Sequence, residues 1–213
     1  MISQRYRTLL IKLPIGLLML SIFMSCFGEP EFPKEPEIEF AWIENHTPGE
    51  RFDSLYIGIN FKDGDGDLGL DQSDTLGPYA PYEELMPGDS ILKQNKYHFN
   101  YFVTVMKKEE DGEYRMVEFD SLSGQNFNGR FPMLNNSGRE RPLEGELRYY
   151  FTLFYDGNLI QSPVTKGDSI KIKIQIVDRA LNESNEIIST GVEVGTPQTR
   201  DEGSNQPPII EGD

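Results

Sequence analysis

The chain has one cysteine and two histidines among its 213 residues. One cysteine cannot form a disulfide within the chain, and it cannot supply the paired thiolates of a structural zinc site. The histidines, His46 and His98, lie far apart, and neither a histidine-based zinc motif nor a Gly-x-Ser-x-Gly segment is present. These absences predict that the protein is not an enzyme. A carbohydrate-active enzyme is the remaining catalytic alternative, because carboxylate pairs cleave glycosides and the chain has 35 acidic residues.

Basic residues are also scarce, since 20 Lys and Arg stand against 35 Asp and Glu for a net charge of −15 at pH 7. Phosphate backbones and anionic lipid surfaces repel a chain of this charge. We therefore expect no nucleic-acid partner. Long apolar runs are missing as well, because the run Leu13–Phe23 is shorter than the roughly 20 residues that span a bilayer.

The N-terminus has the composition of an export signal. Three basic residues, Arg5, Arg7 and Lys12, precede the apolar run, as they do in a secretory signal peptide. The single cysteine, Cys26, follows shortly after the run and directly after a small residue, which resembles a bacterial lipobox. That resemblance implies a signal peptide over residues 1–25 and a lipid on the cysteine. The alternative is a free thiol in an ordinary signal peptide.

Residues 26–36 are rich in proline and glutamate, a composition that favours an extended, semi-rigid spacer. We expect them to form a lipidated tether that holds the protein to the membrane through its lipid anchor. The acidic residues just after Cys26 resemble the signals that direct Bacteroidetes-type lipoproteins to the outer surface. The sequence therefore predicts a lipid-anchored outer-membrane protein, and it leaves open whether the protein faces the cell exterior.

Residues 37–194 alternate apolar and polar side chains with a period of two, the pattern of half-buried β-strands. The clearest strand, "DSIKIKIQIVD", places Ile170, Ile172, Ile174 and Ile176 on one face. About seven such strands, with no capped helical segment, predict an all-β, antiparallel immunoglobulin-like or fibronectin-like sandwich. The other predicted strands are "IEFAWIE", "SLYIGINFK", "KYHFNYFVTVMKK", "YRMVEFD", "ELRYYFTLFYDG" and "NEIISTGVEV".

Two connections between predicted strands are long, Asp71–Asn95 and Ser121–Gly145. Loops of this length are usually functional or disordered. We expect both to pack on the domain and to offer a binding surface, with Tyr79 and Tyr82 as candidate ligand-binding residues. Residues 195–213 are polar and contain proline, which predicts a disordered tail.

The segment "FKDGDGDLGL" places aspartates two residues apart at the end of a predicted strand. A phosphate-binding loop is excluded, because carboxylates repel phosphate and no helix follows. Calcium fits the segment, since it takes about six to eight oxygen ligands and the intervening glycines allow the carboxylates to converge. The alternative is a solvated acidic turn, in which Asp and Gly are common.

The spacing is similar to that of an EF-hand loop, but a strand rather than a helix precedes it and Leu68 replaces the usual glycine. We therefore expect a calcium loop on a β scaffold. In a sandwich of this strand order, the loop after the sixth strand lies beside this one, so "VDRALNESN" is expected to complete the ligand shell. The candidate ligands are Asp63, Asp65, Asp67, Gly69, Asp71, Asp74, Asp178 and Asn182.

Three segments carry a wider resemblance. A strand that ends in F-x-D-G-D-G-D-[IL]-G, then "NGRFPML", then "VDRALNESN" resembles a family of Bacteroidetes outer-membrane lipoproteins of unknown function with an immunoglobulin-like domain. The resemblance covers Glu37–Val194. It implies a fold and a location, and it implies no activity.

A second motif, Asp-Ser or Asp-Thr before an aliphatic residue, recurs along the chain. It resembles the O-glycosylation acceptor that Bacteroidetes use on exported proteins. The alternative is structural, because Asp-Ser before an aliphatic residue often begins a strand after a turn. The candidate acceptors are Ser54, Thr75, Ser90, Ser121 and Ser169.

Together these features predict a non-catalytic, calcium-stabilised cell-envelope lipoprotein that binds a partner protein or a glycan through its long loops. The alternative is a structural subunit of an outer-membrane export or uptake complex. Aromatic side chains on a groove would favour a glycan, whereas a flat apolar patch would favour a protein partner.

Overall fold

The computed structural model describes residues 30–84, 93–119, 125–155 and 162–200. The chain divides into two compact units, residues 1–31 and 32–213. The predicted signal peptide, Cys26, most of the predicted tether and the tail after residue 200 lie outside the described residues. Among the helical segments in the described part of the chain, none is long and apolar enough to cross a membrane.

Within the residues that the structure describes, eight strands form two antiparallel sheets. In chain order they are β1 (Glu37–His46), β2 (Phe52–Asp63), β3 (Tyr101–Lys108), β4 (Tyr114–Met116), β5 (Leu143–Phe154), β6 (Ser169–Ile176), β7 (Ile187–Ile188) and β8 (Val192–Glu193). The first sheet has the order β1-β2-β5, and the second has the order β4-β3-β6 with both β7 and β8 paired to β6. Short 3-10 turns at Gly77–Tyr79 and Lys96–His98 lie between β2 and β3.

The alternating pattern of each sheet places one face in a shared core. In β2, Leu55, Ile57 and Ile59 are fully buried. In β6, the isoleucines predicted to share a face are all fully buried as well. Side chains of both sheets belong to one apolar cluster, so the sheets pack face to face. The predicted all-β sandwich is confirmed.

The third strand begins later than the sequence predicts. β3 starts at Tyr101, so Tyr97 and Phe99, which belong to the predicted strand "KYHFNYFVTVMKK", precede it. The reason is Asn100, which is fully buried. Its side-chain amide accepts a hydrogen bond from the Phe131 N–H at 2.8 Å and donates one to the Phe131 carbonyl at 3.0 Å. The second long loop therefore bonds to the chain at Asn100, at the point where the sequence predicts that the third strand has already begun.

The last predicted strand is present as two pieces, β7 and β8. Between them, the hydroxyl of Ser189 accepts a hydrogen bond from the Ile172 N–H at 2.9 Å. A side chain therefore takes the place of a backbone carbonyl, which interrupts the ladder along β6.

The first residues of the predicted tail lie against the first sheet. The backbone N–H and carbonyl of Gln198 both bond to Asn45 of β1, each at 2.8 Å. Asn45 is itself buried. This part of the segment that the sequence assigned to a disordered tail is therefore paired with a strand.

Side-chain amides close the two edges of the first sheet. At the β1 edge, Asn185 accepts from the Ile38 N–H at 2.8 Å and donates to the Ile38 carbonyl at 2.9 Å. At the β5 edge, Gln125 accepts from the Phe154 N–H at 3.0 Å and donates to the Phe154 carbonyl at 3.3 Å. Each side chain supplies the donor and the acceptor that a neighbouring strand would otherwise supply.

One end of the sandwich carries the predicted calcium loop and the segment "VDRALNESN" that was expected to complete it. β2 ends there at Asp63, opposite Leu143 at the start of β5. In the second sheet, β6 ends at Ile176, opposite Tyr101 at the start of β3. The connections that leave and enter these strands therefore meet at the same end.

Candidate metal centre

Four carboxylates meet at this end of the sandwich. Asp63 is the last residue of β2, Asp65 and Asp67 follow it in the loop, and Asp178 lies just after β6. One oxygen of each lies within 4.8 Å of one oxygen of every other. The structure thus joins the three aspartates of "FKDGDGDLGL" to the aspartate that the predicted topology placed beside them. We call these four residues the acidic cluster.

Two glycines allow the loop to turn between its aspartates. A Cβ on Gly64 would lie 2.3 Å from the carbonyl oxygen of Phe32. Gly66 has a φ of +70°, and its Cβ would lie 2.1 Å from the carbonyl oxygen of Arg141. Because a side chain at either position would collide with backbone, only glycine permits this close approach.

The second long loop holds the aspartate loop from one side. The Arg141 N–H donates to the carbonyl of Asp65 at 3.2 Å, and the Leu134 N–H donates to the carbonyl of Leu68 at 3.0 Å. Leu68 is also buried in the core, so the middle of the aspartate loop is anchored by packing and by backbone hydrogen bonds.

A tight turn after β6 positions Asp178. Both oxygens of its carboxylate accept hydrogen bonds from Asn182, from the backbone N–H at 2.7 Å and from the side-chain Nδ2 at 2.8 Å. Leu181 has a φ of +69°, the only positive value at a non-glycine position in the described residues. The Ala180 N–H donates to an oxygen of Asp67 at 3.0 Å, which connects the two loops.

Asp63 has no compensation for its burial. Its exposed fraction is 0 %. Neither carboxylate oxygen has a hydrogen-bond partner of ordinary geometry, although the Asp67 backbone N–H lies close enough to lower the pKa slightly. Burial, followed by the charges of Asp65, Asp67 and Asp178, raises the pKa of Asp63 to about 7. A carboxylate in these surroundings is unstable as an isolated anion.

The other carboxylates of the cluster also lie in surroundings that disfavour a negative charge or leave an oxygen without a hydrogen bond. Burial and the neighbouring charges of Asp178 and Asp65 raise the pKa of Asp67 to about 6. Burial is also the main cause that raises the pKa of Asp178, although its hydrogen bonds from Asn182 oppose the rise. One oxygen each of Asp65 and Asp67 is buried without a hydrogen-bond partner.

One base lies at the rim of the cluster. The Lys34 ammonium is 3.6 Å from an oxygen of Asp65, and its side chain is 70 % exposed. Within the described ranges, no other ion pair involves a member of the cluster. One exposed ammonium cannot neutralise four carboxylates that lie this close together.

The predicted carboxylate ligands further along the loop, Asp71 and Asp74, lie outside the acidic cluster. Asp71 accepts hydrogen bonds from the N–H and hydroxyl of Ser73, at 2.8 and 2.7 Å. Asp74 pairs with Arg179 at 2.5 and 3.2 Å. Gly69 has a φ of +101°, and a Cβ there would lie 2.1 Å from the Pro132 carbonyl oxygen. The chain therefore turns away from the cluster before it reaches the rest of the predicted twelve-residue loop. Asn182, the remaining candidate, supports Asp178 as described above.

Arg130 was not singled out from the sequence, although it lies in the quoted segment "NGRFPML". Its guanidinium donates to the carbonyls of Asp71 and Asp74, at 3.0 and 3.1 Å, and to the carbonyl of His98 at 2.9 Å. It therefore ties the two long loops together. An arginine between small polar residues and a Phe-Pro pair gives no local signal for this role.

The candidate ligand-binding tyrosines differ in their surroundings. The hydroxyl of Tyr79 donates to the Arg179 carbonyl at 2.5 Å, so its polar end is bonded to the loop that carries Asp178. Tyr82 is half exposed and pairs through its backbone with Gln94.

The candidate glycosylation sites also differ. Thr75 is exposed, whereas Ser54 lies within β2 and Ser169 bonds to the hydroxyl of Tyr114 at 2.8 Å. The remaining two, Ser90 and Ser121, lie outside the described residues.

The arrangement can hold a cation, since carboxylate oxygens converge on one point and several of them have no other partner.

Comparison with known protein families, with curated protein sequences and with solved structures finds no match to this chain.

Proposed function

We propose that this chain is a non-catalytic cell-envelope module whose loop end is stabilised by calcium bound to Asp63, Asp65, Asp67 and Asp178. Asp63 carries the proposal, because its carboxylate is fully buried, has no hydrogen-bond partner of ordinary geometry and lies among three other carboxylates. A buried anion in this setting strongly destabilises a fold unless a positive charge neutralises it. A divalent cation supplies that charge.

The ligand chemistry favours calcium. An oxygen-only set suits hard cations, whereas zinc prefers nitrogen and sulfur ligands. Calcium takes about six to eight oxygens in irregular geometry, whereas magnesium requires a near-octahedral shell and usually keeps several waters. Three carboxylates on or beside a sharply turned loop and a fourth from the turn after β6 match the first description.

Calorimetric titration of the metal-free full chain with calcium tests this proposal. We expect binding by the parent protein and a loss of affinity of more than about 100-fold in Asp63→Asn, which removes a ligand charge and keeps the side-chain size. Asp71→Asn is the matched control, since Asp71 is exposed in the same loop and bonds to Ser73 instead. Absence of calcium binding to the parent protein, or equal loss in both variants, would contradict the proposal.

We also propose that a lipid on Cys26 anchors the module to the outer membrane. The support is the basic, then apolar N-terminus followed by the single cysteine. In a bacterial host fed an alkyne-labelled fatty acid, we expect label on the parent chain and none on Cys26→Ser. Equal labelling of the two chains, or recovery of the parent chain in the soluble fraction, would refute the anchor.

We propose that the loops beside the cation form the binding surface for a protein or glycan partner. Support comes from the contacts that order these loops, because a surface that is already ordered loses less entropy on binding. Crosslinking in native membranes should capture a partner with the parent protein and with Asp71→Asn, but less of it with Asp63→Asn. Identical capture by all three would place the binding surface elsewhere.

A further inference from the structure

We infer that the cation site also fastens the N-terminal tether to the domain, so that cation binding and tether attachment strengthen each other. This inference rests on the calcium site proposed above. The relevant part of the tether is residues 32–36, here called the fastened segment, which leads directly into β1. Its last residue, Pro36, is buried.

A hydrogen bond joins the fastened segment to the middle of the aspartate loop. The carbonyl of Pro33 accepts from the Gly64 N–H at 2.8 Å. Gly64 lies between Asp63 and Asp65 in the chain, and both of those belong to the acidic cluster. The backbone unit that bonds the tether therefore connects two cation ligands.

The packing at this contact is close. A Cβ on Gly64 would lie 2.3 Å from the carbonyl oxygen of Phe32 and 2.5 Å from that of Pro33. The Lys62 ammonium lies 5.7 Å from the centre of the Phe32 ring, within the range of a cation–π contact. The fastened segment thus lies against the aspartate loop with its backbone and against Lys62 of β2 with its aromatic ring.

Lys34 extends the contact to the carboxylates. Its ammonium is 3.6 Å from an oxygen of Asp65. An exposed pair of this kind adds little stability by itself. Within the described residues, Lys34 is the only base that pairs with the acidic cluster, and it belongs to the fastened segment.

These contacts couple cation binding to the attachment of the fastened segment. Without a cation, four carboxylates within 4.8 Å of one another repel, and the loop relieves that repulsion by opening between them. Opening at Gly64 moves the donor that holds Pro33. A cation holds Asp63 and Asp65 together and so fixes the Gly64 N–H toward its acceptor. By thermodynamic linkage, attachment of the tether must raise cation affinity by the same factor.

The consequence is that cation binding changes how far the domain can lie from the part of the chain that precedes it. When the fastened segment is attached, the domain begins at residue 32. When it is released, a segment of this length adds up to roughly 17 Å of extended chain between the domain and whatever precedes it.

Hydrogen exchange of the full chain, with and without calcium, tests the inference. We expect calcium to slow exchange of the Gly64 amide by about tenfold, because that amide donates to the Pro33 carbonyl. The Gly112 amide is the internal control, since it donates to Glu109 at 2.9 Å in the β3–β4 turn at the other end of the sandwich. Its exchange should change much less than that of Gly64.

Variants that disturb the tether and leave every carboxylate in place test the reciprocal effect. Phe32→Ala removes the ring contact of the fastened segment without altering the aspartate loop, and it is the deciding variant. Gly64→Ala displaces the fastened segment but also disturbs the turn of the loop itself. We expect each to weaken calcium binding, Gly64→Ala by about the factor measured from exchange. Gly49→Ala is the control, because a Cβ there meets only one ring atom of Phe52, at 3.9 Å.

The outcomes separate the inference from the proposed function. If the parent protein binds calcium while exchange of the Gly64 amide is unchanged and Phe32→Ala binds equally well, the tether is independent of the site and the inference fails alone. If the parent protein binds no calcium, the proposed function fails and the inference fails with it. Calcium-dependent protection together with weaker binding by both variants supports the inference.

Discussion

Two aspartates of this domain are equally buried and have opposite surroundings. Asp53 and Asp63 both have an exposed fraction of 0 %. Asp53 accepts hydrogen bonds from the Asn45 side chain at 2.9 Å, the Thr47 hydroxyl at 2.8 Å and the Gly195 N–H at 2.8 Å. Asp63 has no such partner. A carboxylate with three donors stabilises the fold directly, whereas one among other carboxylates needs a cation to do so.

Asparagine substitutions at these positions should therefore have opposite effects in the metal-free protein. Asp53→Asn weakens three hydrogen bonds to a charged acceptor and should lower the free energy of unfolding by about 2 kcal/mol, with or without calcium. Asp63→Asn removes a buried charge, so it should raise the stability of the metal-free protein and abolish the gain from calcium. Urea unfolding in both conditions measures these effects. Destabilisation by both variants in metal-free buffer would disprove the distinction.

The pH dependence of the metal-free protein follows from the same residue. The pKa of Asp63 is raised from 3.8 to about 7, so the folded state binds this proton more tightly than the unfolded state does. The contribution of Asp63 to stability is therefore greatest below the unfolded value and decreases as the pH rises from about 4 to about 7. The melting temperature of the metal-free protein should be higher at pH 5 than at pH 8. Asp63→Asn should reduce this difference, and a melting temperature that rises between these pH values would contradict the assignment.

Single strands of this fold could be predicted from their pattern, but loop paths could not. The strict alternation in β6 identified four buried isoleucines, and strand order alone placed Asp178 beside the aspartate loop. Spacing alone extended the ligand set to Asp71 and Asp74, because it gives no information on where the backbone turns. That turn depends on Gly69 and on its contact with Pro132, which belongs to a distant segment. The position of Lys34 beside Asp65 likewise depends on the folded path of the tether.

The link between β3 and the second long loop gives a prediction at the level of elements. Asn100 forms two buried hydrogen bonds with the Phe131 backbone. Asn100→Ala leaves that backbone N–H and carbonyl without partners and should lower the free energy of unfolding by about 2–4 kcal/mol. Chemical denaturation measures this loss. The control is Asn60→Ala on the exposed face of β2, which should change stability by less than about 0.5 kcal/mol. Similar losses in both variants would mean that the link does not hold the loop.

Most of the core of the domain lies on the strands, and only a few of its residues, such as Leu68, belong to the loop end. One apolar cluster contains residues of both sheets, from Ile38 in β1 to Val192 in β8. Removal of the cation acts at the carboxylates, outside this cluster. The sandwich should therefore stay folded without calcium, and the cation should add to its stability without being required for folding.

Chelation should lower the melting temperature and leave the β-sheet signal intact. Calcium at 100 times its dissociation constant stabilises a folded protein by about 2.7 kcal/mol, which corresponds to about 5–11 °C for a domain of this size. Far-ultraviolet circular dichroism, recorded through thermal unfolding with calcium and with chelator, measures both quantities. A chelated protein without a cooperative transition would indicate that the core cannot fold alone.

The side-chain amides at the edges of the first sheet have a consequence for protein solubility. A strand edge with free N–H and carbonyl groups is a template on which a second copy can add, and such addition leads to aggregates. Asn185 occupies the donor and acceptor of Ile38 on one edge, and Gln125 occupies those of Phe154 on the other. These bonds hinder edge-to-edge association of two copies of the chain. A closed sheet has no strand edges, whereas this sheet is part of a sandwich and has two.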